Sequence, residues 1–387
     1  MPPSPLPRRS EAELVQRQAS GSLRVRSAAA YRAMVQQEGL AAAYGATDVV
    51  VAADAQFSDQ ASLVLALGPS DPPIRIRRFR LGGVEGLGGS GSTDLVLPIG
   101  GGLGDPARQG GAQVLAQLLA GESLPFSASG EATALQPRRD LDTRITLAQI
   151  GSGRLLLHRA IVENGIVALN SAEGLVRSAC GPLLGPWGNA LYTCGGAGSI
   201  GLTMPKLALL GPGSAVLVAG AIGWVVGAGS GHQPQPRRQP SGHARSPGAA
   251  AAVSVDLHQL DSRWIRPCFF EGQGSALLVA IAAPVPLLNG SLARQAAADH
   301  DALEAPLLDL SIPRRVKPGF GGVSYGALRS GVISVGGRRL RCAPAHSPQL
   351  AASLAEELCE RLRQGSFPLR LPLQPLSERA ALIPLEG

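Results

Sequence analysis

Apolar and polar positions along this chain follow two periods, one helical and one of strands. Ser10-Glu11-Ala12-Glu13 has the spacing of a capping box and predicts a short helix. A second helix is expected after Ser27, with Tyr31, Met34 and Val35 on one face and Gly39 placed to stop it. The run TDVVVAADA (47–55) is apolar and β-branched, and predicts a buried strand ending in the carboxylate Asp54. Between Ile74 and Leu81 the apolar parity slips by one residue near Arg77-Arg78, the mark of a β-bulge. Asp105-Pro106 reads as the N-cap and first residue of a helix carrying Val114, Leu115, Leu118 and Leu119, ended by Gly121. VISVGGRRLR (332–341) predicts a hairpin turning at Gly336-Gly337. Ser347-Pro348 opens a last helix, with Leu350, Leu354, Leu358 and Leu362 at every fourth position before Gly365.

The expected fold class is mixed α/β: many short glycine-linked strands with a few flanking helices. Residues 1–9 are expected to be disordered and 10–366 to form one domain, with a smaller portion from about 320. An exposed low-complexity loop is expected at 232–248 and a C-terminal tail at 367–387.

Composition narrows the reading. Of 387 residues 50 are Gly and 31 Pro, and 45% are hydrophobic against only 16% charged, so the chain is globular, well buried and rich in turns. The formal charge of +7 is concentrated in two acid-free stretches, which hold Arg8, Arg9, Arg237, Arg238 and Arg245. The rest is nearly neutral, and no basic run is interleaved with aromatics, which argues against a nucleic-acid partner. Leu207–Gly231 carries no charge and is long enough to span a bilayer, yet its glycines and Pro212 break it into short buried strands. No membrane partner is therefore expected. The five cysteines are scattered and show no zinc spacing, which fits reduced thiols and a cytoplasmic location.

Gly86-Leu87-Gly88-Gly89-Ser90-Gly91 satisfies GxGxxG formally but runs into a strand rather than opening a helix, so it reads as turn glycine. Polar groups set among apolar runs are better candidates. SDPPIRIRR (70–78) places Asp71 before a double proline, then Arg75 and Arg77 on one strand face. Those arginines could grip a carboxylate or simply be a solvated strand face. Asn170 and Ser171 follow the run IVAL, where either ligand contacts or an Asx-type turn would sit. Arg314 and Arg315 repeat the arginine theme. Cys194 lies in LYTCGGAGSIG, where glycines would let a substrate approach a thiolate; the alternative is a small buried hydrophobe.

Several passages together resemble the homocysteine biosynthesis family, whose sulfur-incorporation domain converts aspartate semialdehyde to homocysteine for methionine synthesis. They are GPSDPPIRIRRFRLGGVEG (68–86), ALNSAEG (168–174), PWGNALYTCGGAGSI (186–200), VAGAIGWVVGAGSGH (218–232), VDLHQLDSRWIRPCFFEGQG (255–274) and LSIPRRVKPGFGGVSYGALRSGVISVGGRRL (310–340). The resemblance implies a sulfurtransferase acting on a small amino-acid aldehyde and a sulfur donor. It also implies an external reductant and, in some relatives, a ferredoxin-like redox partner; no cofactor or metal motif is evident in the chain itself. It suggests Arg75, Arg77, Arg314 and Arg315 as a carboxylate clamp, with Asp71, Asn170 and Ser171 as further substrate contacts.

The family pattern places one active-site cysteine about a dozen residues before the DPP and another just before the PR of the PRR segment. Here those positions fall near Asp59, in FSDQAS, and near Leu135, in TALQPRR; neither stretch has a cysteine. Cys194, with Asp59, is then the catalytic candidate. The competing expectation is a ligand-binding or regulatory relative without thiol chemistry, and a third is a subunit whose 232–248 loop docks a redox partner.

Overall fold

The computed structural model describes residues 6–89, 94–102 and 107–385. Among these, 14 strands form one sheet and six form a second, with a separate two-stranded ribbon, Gly174–Ser178 against Gly181–Gly185. Third from one edge of the large sheet lies Gly274–Pro286, GSALLVAIAAPVP, buried along its whole length. A continuous apolar run of this kind suits a strand covered on both faces. It pairs antiparallel with Val49–Ser58, from Leu277 opposite Ser58 to Pro286 opposite Val49. The last helix, Pro348–Arg363, is capped by Ser347 and lays Leu354, Leu358, Cys359 and Leu362 on these two strands.

The apolar segment around 207–231 forms Ala215–Val218 and Ala221–Ala228, adjacent antiparallel strands of this sheet. No helix among the described residues is long and apolar enough to cross a membrane. The expected bulge is present: the register between Ile76–Leu81 and its neighbour Leu124–Gly130 shifts between Ile76 and Arg78. Gly86 and Gly88 lie in the strand Val84–Gly88, so the GxGxxG stretch opens no helix there; Ser90 and Gly91 fall outside the described residues. Asp105-Pro106 is also outside them, and the helix that follows begins only at Gly111, with Gly110 as its N-cap.

Four expectations need correction. The smaller unit does not begin near 320. Its sheet runs Gly319–Ser324, Glu304–Asp309, Val167–Leu169, Asn189–Tyr192, Arg338–Pro344, Val332–Val335, and so draws on the middle of the chain. The loop 232–248 is not an exposed appendage, because His232, His243 and Ala244 are buried and Arg238 pairs with the fully buried Glu163. Residues after 366 are not a free tail, since Phe367, Leu369 and Leu376 join the core. Residues 6–9 are not disordered either. Arg9 stacks over the Tyr44 ring, 4.0 Å from its centroid, and the Tyr44 hydroxyl donates to Pro7 O at 2.5 Å.

Arg9 also approaches Asp48, a buried carboxylate shared by three arginines. Arg24 donates from Nη2 at 2.7 Å and from Nε at 2.9 Å, Arg17 donates at 2.5 Å, and Arg9 lies at 3.6 Å. Burial pushes the Asp48 pKa up, but the hydrogen bonds and charge of Arg24, with Arg17, outweigh it and hold the carboxyl below its ordinary value. A depressed folded-state pKa contributes stability above the unfolded value of about 3.9, lost as pH falls through the folded value. Asp48→Asn should therefore cost about 2 kcal/mol near pH 7. Urea melts should show the penalty shrinking below about pH 4; an equal penalty at pH 7 and pH 3 would contradict this.

Candidate functional site

After the strand Asn189–Tyr192 the chain leaves the small sheet through Cys194, Gly195, Gly196, Ala197, Gly198 and Ser199, then enters the short helix Ile200–Thr203. This loop joins the two sheets. Ala53 N–H in the large sheet donates to Gly198 O at 3.1 Å, while Ala197 N–H donates to His300 Nδ1 at 3.3 Å. Gly196 has φ +79°, and a Cβ there would lie 2.6 Å from the Tyr325 ring, so only glycine fits.

The glycine turn wraps the Cys194 thiol. Gly196 N–H donates to Sγ at 3.4 Å, and the side chain is 2% exposed. Burial and then the charge of Asp54 push the thiol up to about 11, against the opposite pull of the Ser199 hydroxyl, the Gly196 amide and the Tyr325 hydroxyl. Ser199 Oγ is buried and has no other partner. Tyr325 is held by donating to Asn164 Oδ1 at 2.7 Å, and Asn164 is itself fixed by donating to Ala244 O and Glu304 O. Asp54 accepts from Ile200 N–H at 2.9 Å and, more weakly, from Gln56 at 3.4 Å. Burial raises Asp54 to about 6. Near neutral pH the thiol is thus protonated and the carboxylate mostly ionised, and the carboxylate acts on the thiol through its charge.

On the other side of the loop lies a cavity of about 340 Å³. Its floor is Gly195 and Ala197 to Ser199, its sides carry Arg32, His300 and Arg329, and the last helix closes it with alanines. Ser199 belongs to both places: it lines the cavity and acts on the thiol.

The residues singled out in the sequence fall elsewhere and in separate groups. Arg77 donates to Glu131 at 2.6 and 3.0 Å and to Gly89 O at 2.7 Å, and Arg75 lies 3.8 Å from the same Glu131. Asp71 is in the adjoining turn, its carbonyl accepting from Arg138 at 3.2 Å. Asn170 donates to Gly174 O and Leu183 O and accepts from Ala172 N–H, which makes it the base of the ribbon. Ser171 donates to Asp309, and Arg314 and Arg315 are exposed in the loop that follows. These last four share one end of the small sheet, where Leu310 N–H meets Leu169 O; strand directions put Cys194 at the other end. The structure therefore brings none of the four expected clamp arginines to Cys194, and supplies Arg32 and Arg329 instead.

Residues 24–369 match the family described as homocysteine biosynthesis enzyme, sulfur-incorporation. The chain belongs to this family. An L-aspartate semialdehyde sulfurtransferase of Methanosarcina acetivorans is 30% identical over 363 residues, 93% of this chain and 70% of that protein. Another of the same name, from Methanocaldococcus jannaschii, is 28% identical over 352 residues, 86% of this chain and 66% of that protein. The chain thus spans about two thirds of the length of these relatives. No solved structure matches it.

The two positions near 59 and 135 lie in different loops. Asp59 sits in the turn that leads from Val49–Ser58 into Ala61–Leu67. Leu135 is 87% exposed in the loop between Leu124–Gly130 and Asp140–Ile145. Following the register across the sheet, from Leu65 to Leu95, Leu95 to Gly88, then Ile76 to Gly130, that loop lies at the far end of Ala61–Leu67 from Asp59. A thiol does come within electrostatic range of Asp59: Cys180, at the ribbon tip, is raised to about 11 by burial and then by Asp59. Sequence spacing could not show this approach. Arg32 had one local signal, as the lone charge in AAAYRAMVQQ; Arg329, Tyr325 and Ser199 had none beyond lying in the passages that resemble the family.

Proposed function

We propose that this chain incorporates sulfur into L-aspartate semialdehyde to give homocysteine for methionine synthesis, as a cytoplasmic sulfurtransferase. The observation that carries the reading is the Cys194 thiol held with Asp54 and Ser199 under the loop that floors a small cavity. Chemically, sulfide adds to the aldehyde carbon, water leaves, and two electrons with two protons reduce the C=S carbon to the thiol. The net reaction is aldehyde plus hydrogen sulfide plus two electrons and two protons giving homocysteine plus water. The electrons come from an external reductant, for which a ferredoxin-like protein is the partner class. Asp54 takes the Cys194 proton so that the thiolate can take a proton from hydrogen sulfide as it attacks the aldehyde carbon.

A second reading is a relative that binds the ligand without turnover, favoured by the aspartate and leucine at 59 and 135 and by thiols that rest protonated. One experiment separates the two. Purified protein is given L-aspartate semialdehyde, sulfide and a strong reductant, and homocysteine is measured beside the melting temperature. The enzyme reading expects product, and a Cys194→Ser rate at least roughly 100-fold lower, with Cys180→Ser much less affected. A ligand-dependent rise in melting temperature with no product supports the binding reading instead.

A further inference from the structure

The cavity over the glycine loop carries two arginines that pair with no carboxylate among the described residues. Arg32 Nη1 is buried and has no hydrogen-bond partner. Burial, and then Arg329, lower the Arg32 pKa, so the two guanidinium groups lie within reach of each other's charge. Neither forms an ion pair with a carboxylate among the described residues. Burial first, then Arg329 and Arg32, push His300 down to about 4, so its ring is neutral. Its Nδ1 accepts from Ala197 N–H at 3.3 Å, which leaves the proton on Nε2 as a donor. Two cations and one fixed donor therefore share the cavity, with Asp299 acting on Arg32 and His300 only through its charge and no described carboxylate paired with either arginine. A buried guanidinium N–H without an acceptor costs stability until one enters, and the fork of an arginine fits a carboxylate.

The backbone is shaped to allow it. Gly198 has φ +96°, and a Cβ there would come 2.9 Å from Arg32 Nη1. Any larger residue would push the guanidinium away from the floor. At the rim, the exposed Glu356 of the last helix supplies one carboxylate. Ser199, whose buried hydroxyl has no partner besides the thiol, marks the end of the floor nearest it.

We infer that this cavity is the binding site for a small α-amino acid, its carboxylate held by Arg32 and Arg329, its ammonium by Glu356, and its side chain directed to Ser199 and Cys194. The inference rests on the sulfur-transfer reading for which amino acid is bound, and not for the site itself. The volume of about 340 Å³ accommodates a four-carbon amino acid with water.

The test uses L-2-aminobutyrate, a stable four-carbon amino acid, in calorimetric titrations of the full chain. Wild type should bind it; butylamine, which lacks the carboxylate, should not bind. Arg32→Gln and Arg329→Gln should each weaken binding at least tenfold, with Arg32→Lys in between. Because a change at Arg32 could disturb folding, Ala352→Leu serves as an independent variant; Ala352 is exposed and lines the cavity, so leucine fills it without touching the core. Ala352→Leu should abolish binding at an unchanged melting temperature. Binding that survives in both Arg32→Gln and Ala352→Leu overturns the assignment, as does no binding by wild type or tight binding of inorganic phosphate in its place. The outcome is separable from that of the function: arginine-dependent binding without homocysteine leaves the site standing, and homocysteine formation with unchanged KM in both arginine variants removes it.

Discussion

Asp54→Asn is expected to make the protein more stable at pH 8 while stopping its proposed chemistry. The wild-type carboxyl is raised from 3.8 to about 6 by burial. A raised folded-state pKa means that the native state binds the proton more tightly. The associated stability is complete below pH 3.8 and is lost as pH rises through about 6. At about 1.4 kcal/mol per pKa unit, the ionised carboxylate costs the native state about 2–3 kcal/mol at pH 8. Asparagine has no charge to bury, and its oxygen can still accept from Ile200 N–H. Urea titrations should show the variant gaining on wild type between pH 4 and 7 and levelling above. The Cys194 thiol should titrate below about 11, since a negative neighbour has gone. Turnover should nevertheless fall at least roughly 100-fold, because no group remains to accept the thiol proton. A pH-independent stability difference would remove Asp54 from this account.

Arg238→Met should have the largest effect on stability, about 3–5 kcal/mol, because it strands a buried charge. Glu163 is fully buried, accepts from Lys206 N–H at 2.7 Å and Ala249 N–H at 3.1 Å, and is neutralised by Arg238. Arg238 is held in turn by donating to Gly242 O and Pro234 O, both at 2.9 Å. The loop 232–248 thus acts as a strut between Glu163 and the neighbouring strands. Denaturation should show a lower midpoint at unchanged slope, and adding Glu163→Gln should recover much of the loss. If Arg238→Met stayed within about 0.5 kcal/mol of wild type, the loop would be the surface appendage its composition suggests.

What could be read from the sequence was what short stretches settle by themselves. The Ser10–Glu13 capping box, the Gly336-Gly337 hairpin and the Ser347-capped last helix are all present, because each depends on neighbours a few residues away. Even the bulge at Arg77 could be seen, since a slip in parity is a local signal. The small sheet could not be read. Its three-residue strand Val167–Leu169 is completed by Glu304–Asp309, and no local pattern announces a partner that distant. Arg238 shows the same limit: a basic, proline-rich stretch reads as solvated until its acid, 75 positions earlier, is in view.

The site divides in the same way. Cys194 and its glycines stood out because a thiol followed by small residues is a contiguous signal. The cationic pair did not, because Arg32 and Arg329 come from helices near opposite ends of the chain. The arginines that did stand out, at 75 and 77, are already matched by Glu131, which the sequence places 54 residues from Arg77.

The strand Ala61–Leu67 has one more consequence. At seven residues and about 3.3 Å each, it holds the Asp59 turn and the Leu135 loop roughly 20 Å apart. A disulfide needs Cα atoms within about 7 Å. Cysteines restored at both positions of this chain would therefore remain two separate stations, unable to couple within one molecule. Sulfur passing between them would have to travel on a mobile carrier or cross to a second copy.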